Sequence, residues 1–151
     1  MRTEREFSVF LINRPGVLAA VTSALGKARI NIIALTLSDA GEHGVLRIVC
    51  NNPEAARVVL GKAHDRWAES DVLVMELENR PGAFASVAQK LADHHINIGY
   101  AYCTGGARGG RTTAVFKVGD VAQAMKAVSN SRPSDSKANR TVKTSPQRVR
   151  A

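Results

Sequence analysis

Sulfur is scarce in this chain: it has two cysteines, Cys50 and Cys103, in 151 residues. They are not at metal-ligand spacing and nothing in the sequence pairs them, so neither a zinc site nor a disulfide framework is expected. Long apolar runs are also missing; no stretch approaches the roughly 18 residues of a membrane span. Residues 1–6, MRTERE, offer no apolar signal region, so a cytoplasmic location and no membrane partner are expected. Catalytic patterns are missing too. No defensible Ser-His-Asp order and no Walker-type loop occur. His94 and His95 are adjacent, which on a helix sets them about 100° apart and suits one metal poorly. His43 and His64 have no visible partners. No catalytic residue, metal or cofactor is therefore expected, and the chain does not read as an enzyme.

The net charge of +8 is unevenly spread. From Ser129 to Ala151 there are six basic residues (Arg132, Lys137, Arg140, Lys143, Arg148, Arg150) against one acid, Asp135, which leaves only +3 for the other 128 residues. This tail has the composition of a disordered segment, with Thr141–Thr144 its one candidate strand.

What is present is a repeat. Asn-Arg-Pro-Gly occurs at Asn13–Gly16 and again at Asn79–Gly82, 66 residues later. The flanks repeat in register. Phe7, Val9 and Leu11 align with Leu73, Met75 and Leu77, and Leu18, Val21 and Leu25 with Phe84, Val87 and Leu91. Ile30-Asn31-Ile32 aligns with Ile96-Asn97-Ile98. One small module is used twice. Modules of about 60 residues are marginal alone, so they should pack on each other or on a second chain.

Periodicity orders the elements. Glu6–Ile12 alternates as a strand. Val17–Ala28 carries apolar residues at helical spacing. Ile30–Leu37 and Val45–Cys50 read as strands around the hairpin loop at residues 39–44. Asn52-Pro53-Glu54 is a strong helix start, and that helix runs to Lys62. A fourth strand is expected near Arg66 and Trp67. The second copy repeats the order with strand Val72–Leu77, helix Ala83–Asp93, strands Ile96–Thr104 and Thr112–Val118, and a helix from Asp120 to Val128. Gly105–Arg111 does not lead from a strand into a helix as phosphate cradles do. It reads as a hairpin tip, or as a flap over a ligand near Tyr100 and Tyr102. The expected class is α+β: two ferredoxin-like βαββαβ modules with antiparallel sheets and helices on one face, at residues 1–69 and 70–128, with 129–151 as the tail. Phe10 and Ile12 face away from the helices where the second copy has Glu76 and Glu78. A cover over that part of the first sheet is expected.

The doubled turn, the following Leu/Phe-Ala-x-Val-x-x-x-Leu helix and the Ile-Asn-Ile string together resemble the ACT domain family over residues 6–128. The first forty residues also resemble the start of the small regulatory subunit of acetohydroxyacid synthase. The resemblance implies a non-catalytic regulator that binds small amino acids at module interfaces, with a metabolic enzyme and a second copy as partners. In the similar module of serine-regulated phosphoglycerate dehydrogenases, the turn Asn and the Asn of the Asn-Ile pair contact the effector. Those positions match in both copies. The His that family places two residues before the turn is Leu11 or Leu77 here, which points away from serine.

The residues themselves fit a zwitterion. Helix-start N–H groups suit a carboxylate, and Asn offers both donor and acceptor. Gly16 and Gly82 allow close backbone approach, while Pro15 and Pro81 stiffen the turn. The expected ligand-binding set is Asn13, Pro15, Gly16, Val17 and Asn31 in one module and Asn79, Pro81, Gly82, Ala83 and Asn97 in the other. Asn13 with Asn31, and Asn79 with Asn97, are expected to bracket one ligand each. Arg14 and Arg80 read as solvent-exposed or as carboxylate contacts. The alternative is nucleic-acid binding through a ferredoxin-like sheet and the basic tail. It is disfavoured because Val45–Cys50 lacks the stacking aromatics of RNA-recognition modules.

Overall fold

The computed structural model describes residues 1–63, 66–106 and 109–130. Ten elements follow in the order β1 (Arg2–Ile12), α1 (Val17–Lys27), β2 (Ile32–Ala40), β3 (His43–Cys50), α2 (Pro53–Ala63), β4 (Trp67–Glu78), α3 (Ala83–Asp93), β5 (Ile98–Cys103), β6 (Arg111–Val118) and α4 (Val121–Asn130). The expected tail from residue 131 on, including Thr141–Thr144, lies outside the described residues, as does His64.

The expected pair of sheets is one sheet. Six strands run β2-β3-β1-β4-β6-β5, all antiparallel. Two strands are long enough to serve both modules. The second half of β1 pairs with β3 from Glu6↔Val49 to Ile12↔His43, while its first half pairs with β4 from Arg2↔Val74 onward. The second half of β4 in turn pairs with β6, from Leu73↔Phe116 to Glu78↔Arg111. Each module thus has the ferredoxin-like order 4-1-3-2. The fourth place in module 2 is filled by the start of β1. The strands expected near Trp67 and at Val72–Leu77 are a single strand, so the expected 69/70 boundary falls inside β4.

Strand alternation sorts the faces. Thr3 lies opposite Leu73, and Phe7, Val9 and Leu11 follow Thr3 on its face. Both modules therefore present their apolar rows to the same side, where all four helices pack. Module 1 buries Phe7, Val9, Leu46 and Ile48 against Val21, Leu25 and Leu60. Module 2 buries Leu73, Met75 and Phe116 against Val87, Leu91 and Ala124. A polar seam separates the two cores. Arg57 of α2 grips Glu69 through two bonds, Nε to Oε1 at 2.5 Å and Nη2 to Oε2 at 2.8 Å. Arg5 reaches Asp71 at 3.2 Å beside them. The hydrogen bond from Arg57 holds the Glu69 carboxyl below the usual carboxylate range.

The other face has a core of its own: Ala34, Val49, Val72, Val74 and Val115, with Ile33 and Tyr102 against them. A bulge between Ile32 and Ala34 turns Ile33 onto this side, and the second copy repeats the bulge between Ile98 and Tyr100. Glu6 is fully buried here. Its carboxylate accepts the Tyr102 hydroxyl at 2.7 Å on one oxygen and the Tyr100 hydroxyl on the other. Arg47 stacks its guanidinium over the Tyr100 ring, 4.1 Å from the centroid. At a strand spacing of about 4.8 Å, β5 lies roughly 14 Å from β1, so the two phenols lean across β6 and β4 to reach Glu6. They roof the valines beneath. Further along, Phe10 and Ile12 are each 48% exposed, so nothing among the described residues supplies the expected cover.

Candidate functional site: paired clefts at the repeated turns

The Asn-Arg-Pro-Gly turn adopts one geometry twice. The Asn13 N–H donates to the Glu42 carbonyl at 2.9 Å and its Nδ2 to the Gly41 carbonyl at 3.1 Å. The Asn79 N–H donates to the Gly110 carbonyl at 2.8 Å and its Nδ2 to the Gly106 carbonyl at 2.7 Å. Each carboxamide therefore clamps the turn to the hairpin loop of its own module rather than standing open for a ligand. Arg14 and Arg80 N–H groups close back on Ile12 and Glu78, both at 2.9 Å. Gly16 and Gly82 then sit in the left-handed region, at φ 87° and 83°, and begin α1 and α3. No neighbouring atom lies within 4 Å of the space where a Cβ would stand at either glycine.

The helix starts divide into two kinds. The first N–H groups of any helix lack intrahelical acceptors. At α2 the Asn52 Oδ1 accepts from the Ala55 N–H at 3.0 Å, and at α4 the Asp120 Oδ1 accepts from the Gln123 N–H at 2.9 Å. At α1 and α3 no side chain makes such a cap, and neither first turn holds an acid. A cleft opens in front of each. The first, about 170 Å³, is lined by Leu11, Asn13, Arg14, Val17, Leu18 and Leu37, with Ile12, Ser38 and Gly44 at its margin. The second, about 470 Å³, is lined by Leu77, Asn79, Arg80, Ala83, Phe84 and Cys103, with Glu78, Thr104, Gly105, Gly106 and Thr112 around them. All nine places of the first lining recur in the second under the repeat, and the second adds Gly105 and Gly106. Pro15, Gly16, Pro81 and Gly82 shape the turns without lining the clefts themselves.

The expected Asn pairs do not meet. Asn13 follows Ile12, which pairs with His43, whereas Asn31 precedes Ile32, which pairs with Cys50. The seven steps of β3 between those ends span roughly 23 Å at about 3.3 Å per residue. The backbone of Asn31 instead exchanges bonds with Asn51, both at 3.0 Å. Asn97 lines a different cleft of about 480 Å³ with His95, Gly99, Lys117 and Asp120. Neither Asn ends its helix; the left-handed residues there are Arg29 and His95, at φ 58° and 55°.

Gly105 and Gly106, the described start of the glycine-rich loop, border the second cleft at Asn79, on the side of the sheet away from the tyrosines. Gly106 is needed there because a Cβ would fall 2.4 Å from the Arg111 carbonyl. Tyr100 and Tyr102 face the opposite side of the sheet and are held by Glu6, so they are not free stacking platforms for bases. The hairpin-side residues of the clefts, Leu37, Gly44, Cys103 and Thr112, escape a reading built on the turn alone. Superposing the two copies of the repeat was the signal that could have found them, because the hairpins align as well as the turns. Cys50 is buried, which pushes its thiol up to about 11, while Cys103 is exposed at the second cleft. Among the described residues no group of His, Cys, Asp and Glu is placed to hold a metal, and no helix is long and apolar enough to cross a membrane.

The fold is shared widely among solved structures. A protein from Bacteroides thetaiotaomicron is 27% identical, with a TM-score of 0.76 over 84% of this chain and 87% of that one. The ligand-free regulatory subunit of aspartate kinase from Thermus thermophilus is similar in fold at 15% identity, with a TM-score of 0.62 over 85% of this chain and 92% of that one. The corresponding subunit from Thermus flavus gives 16% and 0.58 over 84% and 90%. No curated protein matches the sequence. The family model described as an ACT domain pair matches residues 2–134, taking in both turns, both clefts and the shared strands. The chain belongs to the ACT domain pair family.

Proposed function

We propose that this protein is a non-catalytic sensor of free amino acids that regulates a metabolic partner. The ligand carboxylate sits at the start of α1 or α3, where the helix dipole is positive. It takes the N–H groups after the first, since Val17 and Ala83 donate theirs to the Arg14 and Arg80 carbonyls at 3.4 and 3.3 Å. The ammonium sits on carbonyls of the facing hairpin. One observation carries this reading. The two helices at the repeated turn begin without a side-chain cap and face clefts of matched lining, whereas the other two are capped by Asn52 and Asp120. The regulatory subunits of aspartate kinase noted above share the fold, which supports a regulatory role by analogy.

The turn carboxamides then act by fixing the hairpin lip over each cleft. If Asn31 or Asn97 contributes to the same ligand, it does so from a second copy of the chain. A dimer would also cover Phe10 and Ile12. Regulation follows from differential affinity: the ligand favours the arrangement of modules or copies that it binds better.

A thermal-shift screen of the twenty amino acids tests this. A ligand at a hundred times its Kd adds about 2.7 kcal/mol. For a body of this size that is a rise of roughly 5–11 °C in Tm. If none of the twenty moves Tm at millimolar concentration, the sensor reading fails.

A further inference from the structure

Given that amino-acid reading, we infer that the two clefts have diverged in ligand class. The module 1 cleft takes an amino acid with an aliphatic side chain, and the module 2 cleft does not. The backbone frame is common to both, so the difference lies in the side chains at matched places. Leu11 and Leu77, Asn13 and Asn79, and Arg14 and Arg80 are the shared part. Around them Ile12 answers to Glu78, Leu37 to Cys103 and Gly44 to Thr112.

In module 1 these exchanges make an apolar slot. Ile12 and Leu37 stand on its rim, 48% and 47% exposed, although both are large apolar groups. Gly44 lets Leu37 lie inward. A Cβ on Gly44 would come within 3.3 Å of Leu37 Cδ1, tighter than ordinary contact. The slot, about 170 Å³, is the narrower of the two clefts. Among the residues whose side chains are described, no acid lines it and the Arg14 guanidinium has no ion pair, so a cation stands at the slot for the carboxylate. A ligand side chain against Leu11, Leu18 and Leu37 removes apolar surface from water on both partners.

Module 2 keeps Leu77 and Phe84 at the places of Leu11 and Leu18 but exchanges the apolar rim for a polar one. Its cleft is wider, about 470 Å³, and its rim is charged. Arg80 is engaged by Glu78 at 2.5 Å, and Glu76 by Arg111 at 2.7 Å just beyond. Seating an aliphatic group there would strip water from these charges without giving them a new partner.

Calorimetric titration of the full-length chain with leucine, isoleucine, valine, serine and threonine decides the matter. The expected result is one equivalent of leucine, isoleucine or valine per chain. Leu37→Asp should weaken that binding at least about ten-fold, the scale of a lost apolar contact in a pocket. Val58→Asp, on the exposed surface of α2, should leave it unchanged and so controls for added charge. Two equivalents of leucine per chain, or leucine binding undiminished by Leu37→Asp, overturns the divergence. Binding of serine or threonine alone also overturns it while leaving amino-acid sensing intact. No binding of any of the five, together with a blank thermal-shift screen, removes both.

Discussion

Tyr102→Phe offers the sharpest test of how the two modules are joined. The substitution keeps the ring over Val72, Val74 and Val115 and deletes one atom, the hydroxyl that donates to Glu6 at 2.7 Å. A hydrogen bond to a charged group contributes about 1.5–3 kcal/mol. At roughly 2–4 °C per kcal/mol for a body of this size, Tm should fall by roughly 3–12 °C. Base titration gives an independent view, because Tyr100 and Tyr102 are the chain's two tyrosines. Burial pushes both phenols above their ordinary value, and the hydrogen bonds to Glu6 push the same way. The unfolded value is near 10. The folded phenols therefore add stability that is complete below about pH 10 and is lost as pH rises past it. Phenolate absorbance in the wild type should appear only together with unfolding, which Trp67 fluorescence reports. Phenolate formation with a midpoint near 10 in a chain still folded, or a Tyr102→Phe variant as stable as the wild type, would refute the clasp.

Other consequences can be checked as directly. Gly16→Ala and Gly82→Ala should each cost about 1–2 kcal/mol in urea unfolding through left-handed strain alone, since no neighbour crowds either position. Glu69→Gln should destabilise the fold at neutral pH. The wild type's advantage should shrink as pH falls from about 4.5, because Arg57 lowers the Glu69 pKa and the stabilisation is lost as that carboxylate protonates. A thiol reagent should modify Cys103 readily in the folded chain and Cys50 only in denaturant, since burial keeps the Cys50 thiol protonated.

Where alternation was apolar the chain could be read directly, and Phe7–Val9–Leu11 and its copy at Leu73 fall on the helix-facing side as expected. The first half of β1 could not. Arg2, Thr3, Glu4 and Arg5 carry no apolar signal, and they form a strand because β4 offers them a pairing edge. The same blindness split β4 in two, since Glu69, Ser70 and Asp71 interrupt its pattern. Glu6 looked like the polar start of a strand. Its burial depends on two tyrosines 94 and 96 residues away, beyond the range of any local pattern. At the site, the turn and its glycines were legible because they repeat. The supposed partnership of Asn13 with Asn31 was not, because sequence nearness says nothing about which end of a hairpin a residue occupies.

Two girders run through both halves of this molecule, and that forbids a clean cut between them. A fragment from residue 67 onward would lack the Arg2–Glu6 segment and leave much of β4 as a bare edge. Such a fragment should seek a second copy of itself to mend that edge. The same continuity ties the two clefts together in one backbone frame, with β1 ending at the first and β4 at the second.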